Sequence, residues 1–345
     1  MNDNLLSPAR RRLALQRITA LWAFCESGLG GVLHALRLPF TGLVVGSFSV
    51  LCITLIAWLS AGRYQQVLHS LLLALIVKAA VSPHSPPTAY LAVAFQGLAG
   101  YGIYKMLGVR QLSIYLVAVL ALLESALQKL LTLTIFFGKS FWKATDELLA
   151  FIGKELSVAL PLGSVVLVSA YVGIYLFGGI ACGALAHRLV RDFRSGAEGL
   201  PPVPPLPDGA ALPHPRRRRI RSVLLLALFA AIGIVLYISA GTQKQGGFAV
   251  VQALVWTTCA LILWYGLVAP VALRLLHRYL LRRREAHNSE VQELLSMLPA
   301  LRRLTVAAWK ASARHPGRSR IAWFVRLLVH WTLTFDPVEL QPDTA

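Results

Sequence analysis

The stretch that decides the fold is residues 41–61, TGLVVGSFSVLCITLIAWLSA, in which no side chain carries a formal charge. A helix needs about 20 apolar residues to cross about 30 Å of hydrocarbon, so this stretch is long enough to span a bilayer. A segment inside lipid must satisfy its own backbone hydrogen bonds, and a single helix does so. The stretch therefore predicts a membrane-spanning helix and an all-α fold.

The rest of the chain repeats this apolar character. Hydrophobic residues make up 56% of the 345 residues and charged residues 14%, whereas a soluble domain carries about a quarter charged residues. Further long apolar runs are 111–137, 158–185, 221–240 and 248–273, and shorter ones are 67–82 and 88–107. We expect a polytopic membrane bundle of six helices over residues 41–185. A two-helix membrane hairpin over 220–280 should follow it, accompanied by cytoplasmic or interfacial amphipathic helices.

Basic residues predict the orientation. Of 34 Lys and Arg, five lie in the segment 1–40, eight between 185 and 222, and twelve from 274 onward. Positively charged loops stay on the cytoplasmic side, so the N-terminus, the Pro/Arg-rich linker 186–219 and the basic tail 281–345 should face the cytoplasm of a multi-pass inner-membrane protein. The net charge of +19 then indicates contact with anionic lipid headgroups, not with nucleic acid.

Residues 139–156 are the ambiguous segment. Cytoplasmic patches on both sides of the bundle require an even number of crossings, and residues 41–185 hold five clear runs. Residues 139–156 would supply the sixth, but charges occupy much of the helical wheel. They either cross inside the bundle beside a polar cavity or lie in the membrane interface.

Polar residues within apolar runs mark the candidate site, because each is costly in lipid unless partnered or hydrated. These residues are Gln96, Glu124, Gln128, Lys129 and Asp146. One interpretation is that they line a cavity for a small-molecule ligand. The other is that they are internal contacts of the bundle, in which Glu124 pairs with Lys129 or with Lys78.

Signatures of catalysis and cofactor binding are missing from the sequence. It has no GxxxxGK[ST] loop, no HExxH and no GxSxG, and its four cysteines are scattered without metal-ligand spacing. We therefore predict no enzyme activity, no cofactor and no metal, and any ATP hydrolysis would belong to a separate subunit.

Residues 41–185 resemble the substrate-binding S component of energy-coupling-factor transporters. The resemblance rests on the expected six helices, on Ala57 and Ala61 in an AxxxA pattern, and on the stretches 78–84, 94–97 and 124–129. It implies that the alanines dock on a transmembrane coupling subunit carried by two ATPases, and that the bundle binds a vitamin-like solute. Residues 220–335 could be likened to a shortened T component, in which Ala313-Arg314-His315 would correspond to an X-Arg-X motif and Arg314 would contact an ATPase.

Two hypotheses follow. The chain is either the solute-binding membrane subunit of a small-molecule uptake transporter, or a non-transporting membrane scaffold whose basic cytoplasmic tail recruits a partner.

Overall fold

A computed structural model describes residues 7–30, 40–82, 85–155, 163–195, 200–204, 255–315 and 317–335. Every regular element in these ranges is a helix, which confirms the all-α class. The run 221–240, predicted to be the first half of the membrane hairpin, lies outside the described residues.

The helices of the first half follow the apolar runs. They are α1 (Pro8–Phe24), α2 (Thr41–Leu59), α3 (Gln65–Val81), α4 (Pro87–Leu107), α5 (Gln111–Glu155) and α6 (Gly163–Arg194). A π-helical turn, Cys25–Leu29, extends α1. Pro87 begins α4 at a position where its missing N–H leaves no hydrogen bond unmade. Gly138 interrupts α5 with φ 67° and ψ −163°, a conformation that glycine adopts without a Cβ penalty.

The helices of the second half are α7 (Val255–Ala286), α8 (Asn288–Ala311) and α9 (Arg318–Thr334). A π-helical turn, Leu263–Val268, lies within α7, and a 3₁₀ turn, Ser312–Arg314, follows α8.

Four described helices are long and apolar enough to cross a membrane. They are Thr41–Leu59, Gln111–Lys139 (the first arm of α5), Gly163–Arg194 and Val255–Ala286. In the most apolar 18-residue stretch of α2, 67% of the residues are buried within the protein, whereas in that of α7 only 6% are buried. Consequently, α2 is a central helix, and α7 carries a largely exposed apolar surface that suits lipid.

The chain divides into two compact units. The first comprises residues 1–126, 174–211 and 275–345, and the second residues 127–173 and 212–274. In the second unit, Phe136 packs edge-to-face on Trp264 with ring centroids 5.9 Å apart, and the indole N–H of Trp256 donates to the carbonyl of Ile135 at 3.4 Å.

In the first unit, six described helices alternate in direction. α1 and α2 are antiparallel, since Glu26 meets Ser49 and Gly30 meets Val45. α4 runs parallel to α2, since Gln96 lies beside Gly46 and Tyr104 beside Thr54. α3 runs parallel to α1, since Thr19 meets Ser70 and Glu26 meets Lys78. α5 is antiparallel to α2 through Gly42–Ser125 and Gly46–Leu122, and α6 is antiparallel to α5 through Gly179–Val119 and Gly183–Tyr115. The first unit is thus an up-and-down bundle that includes α1.

Participation of α1 in this bundle was not evident from the sequence, which suggested only a basic lead-in over residues 1–40. Ile18, Leu21 and Trp22 of α1 are completely or almost completely buried. The Arg17 guanidinium donates to the carbonyl of Leu333 at 2.6 Å and lies 4.7 Å from the Phe335 ring. These partners belong to the C-terminal segment, so the tail helices cover the outer side of α1.

The tail helix α8 has one buried apolar face. Val291, Leu294, Leu301 and Leu304 are fully or almost fully buried along it. Helix α9 contacts the bundle through Phe324, whose ring packs edge-to-face on Phe48 of α2. The described tail therefore belongs to the first unit.

Candidate functional site

Two glycines of α2 open a meeting point for three other helices. A Cβ atom at Gly46 would lie 2.9 Å from Leu122 Cδ2 and 3.3 Å from Gln96 Nε2. A Cβ atom at Gly42, one turn away, would lie 3.2 Å from Ser125 Cβ. Small residues at this spacing permit close helix contact in membranes. Here they bring polar side chains of α4 and α5 against the α2 backbone.

The contacts at this meeting point involve Gln96, Ser125 and Tyr175, and Glu124 is the residue before Ser125 on α5. Gln96 is 3% exposed and Tyr175 is 2% exposed. The Tyr175 hydroxyl would lie 3.6 Å from a Cβ at Gly42, so α6 also reaches the cluster. Glu124 precedes Ser125 on α5 and is partly buried. We call these four residues the polar cluster.

Two oxygens of the polar cluster have no hydrogen-bond partner among the described residues. They are Gln96 Oε1 and Glu124 Oε2, and both are shielded from solvent. An unsatisfied buried polar group costs about 1–3 kcal/mol, and such groups in native proteins call for a bound water, ion or ligand. Both atoms are acceptors, so a partner that hydrogen-bonds to them would supply N–H or O–H donors.

The other predicted site residues belong to the second unit. Lys129 is exposed, and the Gln128 carbonyl accepts from the Thr132 hydroxyl at 2.6 Å. Asp146 accepts from the Ser164 backbone N–H at 2.7 Å, and hydrogen bonding by Ser164 lowers the pKa of that carboxyl. Asp146 therefore joins the second arm of α5 to the start of α6. The structure does not gather the five predicted residues in one unit.

A buried ion pair was missed by the sequence reasoning. Lys78 Nζ donates to Glu26 Oε2 at 2.6 Å, with both side chains at most 4% exposed, and Ser49 Oγ donates to Oε1 of the same carboxylate. Lys78 thus pairs with α1 rather than with Glu124. The available signal was Glu26 itself, a lone acid within the apolar sequence LWAFCESGLGG, and the π-helical turn begins one residue before it.

A second polar contact extends from this pair. Lys78 Nζ lies 5.9 Å from the centre of the Tyr90 ring, and the Tyr90 hydroxyl lies 3.4 Å from His277 Nε2. Polar groups therefore continue from the bundle interior to α7.

A cavity lies at the opposite end of α3 from Lys78. Its volume is about 640 Å³, and α1, α3 and α8 contribute to its wall. Its charged and titratable lining residues are Arg11, Arg12, Arg63, His69, Glu290 and Glu293. Because the polar cluster shares none of these residues, the cavity is a separate feature.

The predicted docking residues occupy different settings. Ala57 is 1% exposed and packs inside the bundle. Ala61 lies beyond the end of α2, in a turn with φ 48°, so the two alanines do not form one exposed helical face. Arg314 ends the 3₁₀ turn after α8 and is exposed.

No protein-family model, curated protein or solved structure matches this chain. The polar cluster, the ion pair and the cavity are therefore interpreted from their own geometry.

Proposed function

We propose that this chain is the membrane-embedded solute-binding subunit of a small-molecule uptake transporter, with the polar cluster as its binding site. One observation carries the proposal: Gln96 Oε1 and Glu124 Oε2 are buried acceptors without a described partner. A binding site is largely apolar with a few well-placed polar groups, and the polar cluster has this character within an apolar bundle.

The chemistry of the polar cluster selects a class of solute. Gln96 and Glu124 offer acceptors, while Ser125 and Tyr175 carry hydroxyl groups that can donate or accept. A small polar molecule with several N–H or O–H donors and a flat or apolar body fits this set. The role agrees with the resemblance to S components, which implies a vitamin-like solute.

The proposed topology has six crossings in the bundle and two in the hairpin, with the N-terminus, linker and C-terminus in the cytoplasm of an inner membrane. The bundle geometry supports one change to the sequence-based count: α1, which alternates in direction with α2, provides the sixth crossing in place of residues 139–156. Arg11, Arg12 and Arg63 line a cavity at one end of this bundle, as the charge bias of cytoplasmic loops requires.

Energy for uptake would come from separate ATPase subunits, because the sequence holds no nucleotide-binding loop. Anionic lipid headgroups and a transmembrane coupling subunit are the other proposed partners. Arg314 is exposed on its turn, which supports a role for it in contact with such a subunit.

A scaffold function is the second candidate, and the Glu26–Lys78 pair favours it. That pair is buried and hydrogen-bonded, so at least one set of charges in the bundle serves packing. In this alternative Gln96 and Glu124 would also be internal contacts, and the basic tail would recruit a partner.

Bound solute in the purified protein separates the two functions. We would purify the protein in nanodiscs and analyse the co-purifying small molecules by mass spectrometry, for the wild type and for Gln96→Met. Met is similar in shape to Gln but lacks the acceptor, so the bound molecule should be lost while the melting temperature stays equal or rises. Gln111→Met, at the exposed first residue of α5, is the matched control and should keep the molecule.

The scaffold function predicts the reverse pattern. No small molecule would co-purify with the wild type at stoichiometric level, and Gln96→Met would lower the melting temperature because a packing contact is lost. That pattern would overturn the solute-binding proposal.

A further inference from the structure

Two histidines and a glutamate converge beside the cavity at the basic end of the first unit. His69 comes from the first turns of α3, His287 stands immediately before α8, and Glu290 lies in the first turn of α8. Their ligand atoms all lie within 4.8 Å of one another. We call these three residues the His–His–Glu cluster.

His69 and Glu290 form a close contact between α3 and α8. Nε2 of His69 lies 2.9 Å from Oε2 of Glu290, yet this buried oxygen has no aligned donor among the described residues. An imidazole nitrogen and a carboxylate oxygen this near to each other can both bind one metal ion. A cation between them would satisfy both.

His287, the third residue of the His–His–Glu cluster, has a ring orientation that suits metal binding. Nδ1 of His287 lies 3.0 Å from the carbonyl of Arg283. A carbonyl only accepts, so Nδ1 is the donor in this contact, and Nε2 of a neutral ring then offers a lone pair. Histidines that bind metals usually donate their other ring N–H to a carbonyl or carboxylate in this way. The ring of His287 also lies 5.5 Å from that of His69.

We propose that the His–His–Glu cluster binds a divalent transition-metal ion of the Zn²⁺ class. Two imidazoles and one carboxylate are a common ligand set for such ions, at about 2.0–2.2 Å from the metal. Ligands of a tetrahedral ion then stand about 3.3 Å apart, so small side-chain rotations would complete the geometry. Mg²⁺ and Ca²⁺ prefer oxygen ligands and are excluded by the imidazoles.

The His–His–Glu cluster is accessible to an ion from the cavity. The side chains of His69 and Glu290 are 38% and 41% exposed, and both line the cavity. Three protein ligands leave a fourth position for water or an anion, and the arginines of the cavity wall favour an anion there. The bound ion would fasten α8 of the tail to α3 of the bundle, two helices that are distant in sequence.

Metal titration of the full-length protein tests this proposal. The protein is purified without a histidine tag, stripped with EDTA, and titrated with Co²⁺ by absorption spectroscopy and with Zn²⁺ by calorimetry. We expect one ion per chain at micromolar concentration, with the absorption of a nitrogen- and oxygen-ligated Co²⁺ ion. Mg²⁺ at the same concentration should give no signal.

Ligand variants and matched controls locate the site. His69→Ala, His287→Ala and Glu290→Gln should each weaken Zn²⁺ binding by about tenfold or more, since even changes behind the ligands have effects of this size. Glu293→Gln, which also alters the cavity wall, and His315→Ala should bind as the wild type does. Melting temperatures in EDTA show whether each variant is folded.

Zn²⁺ should raise the melting temperature of the wild type and of both controls but not of His69→Ala, by linkage of binding to folding. The proposal is overturned if the wild type binds no Zn²⁺ at micromolar concentration, or if folded His69→Ala and His287→Ala bind it as the wild type does. The solute-binding proposal uses other residues, so either result leaves it unaffected.

Discussion

Lys78 donates a hydrogen bond to Glu26 at 2.6 Å, and both side chains are withdrawn from solvent. This pair joins the end of α1 to the end of α3, and Ser49 of α2 adds a third helix through the same carboxylate. Three helices of the first unit therefore depend on one buried charge pair.

Breaking this pair should destabilise the protein strongly. Lys78→Met leaves the Glu26 carboxylate buried without its cation, at a cost of about 3–5 kcal/mol. Glu26→Gln combined with Lys78→Met should cost less than Lys78→Met alone, because no unpaired charge remains. Denaturant unfolding in detergent measures both. A control is Asp192→Asn, which breaks the more exposed Arg326–Asp192 pair and should cost about 0–1 kcal/mol.

Alanine at Gly100 should destabilise the bundle, whereas alanine at Gly102 of the same helix should not. A Cβ at Gly100 would lie 2.5 Å from Ile53 Cγ2, but nothing lies within 4 Å of a Cβ at Gly102. Overpacking costs about 1–3 kcal/mol, while a helical Gly→Ala change in open space stabilises by about 0.4–1 kcal/mol. Melting temperatures of the two variants should move in opposite directions. Equal shifts would contradict the α2–α4 contact.

Single cysteines should reveal the proposed orientation. In a background without the native cysteines, Ser7→Cys, Ser195→Cys and Ala313→Cys place thiols at exposed positions. An impermeant maleimide added outside intact cells should label none of them, because all three would face the cytoplasm. Ser85→Cys, in the turn between α3 and α4, should be labelled from outside. Outside labelling of any of the first three would disprove the proposed orientation.

Acid should weaken the packing of α9 through His330. Burial lowers the pKa of this imidazole below its ordinary value of 6.5. The unfolded chain therefore binds the proton more readily, so this histidine reduces the free energy of unfolding as the pH falls through and below 6.5. The difference in melting temperature between His330→Gln and the wild type should shift in favour of the variant from pH 7.5 to pH 5.5. A constant difference would refute this role.

The sequence predicted elements whose signal is local. The run 41–61 corresponds to α2, Thr41–Leu59, because hydropathy and length are properties of a single stretch. The runs 67–82 and 88–107 correspond to α3 and α4, and Pro86 and Pro87 stand between them, where proline interrupts helical hydrogen bonding.

Contacts between residues that are distant in sequence were not predictable in the same way. The sequence of α1 has a low mean hydropathy because it contains Arg10, Arg11, Arg12 and Arg17. Arg17 is nevertheless buried, because its guanidinium donates to the carbonyl of Leu333 and lies over the Phe335 ring. Likewise, the sequence alone does not show which acid pairs with Lys78. The pairing with Glu26 depends on how α1 packs against α3. The candidate site was found in part: Gln96 and Glu124 could be chosen as polar residues in apolar runs, but Ser125 and Tyr175 become relevant through Gly42 and Gly46.

The contact between Arg17 and Leu333 also bears on biosynthesis. Ribosomes deliver α1 to the membrane long before they synthesise α9, so α1 must wait for most of translation with its guanidinium lacking the carbonyl and the ring that receive it in the finished protein. A nascent chain that ends before α8 would hold α1 against α2 and α3 alone. Premature termination would thus weaken the first helix of the chain as well as remove the last one.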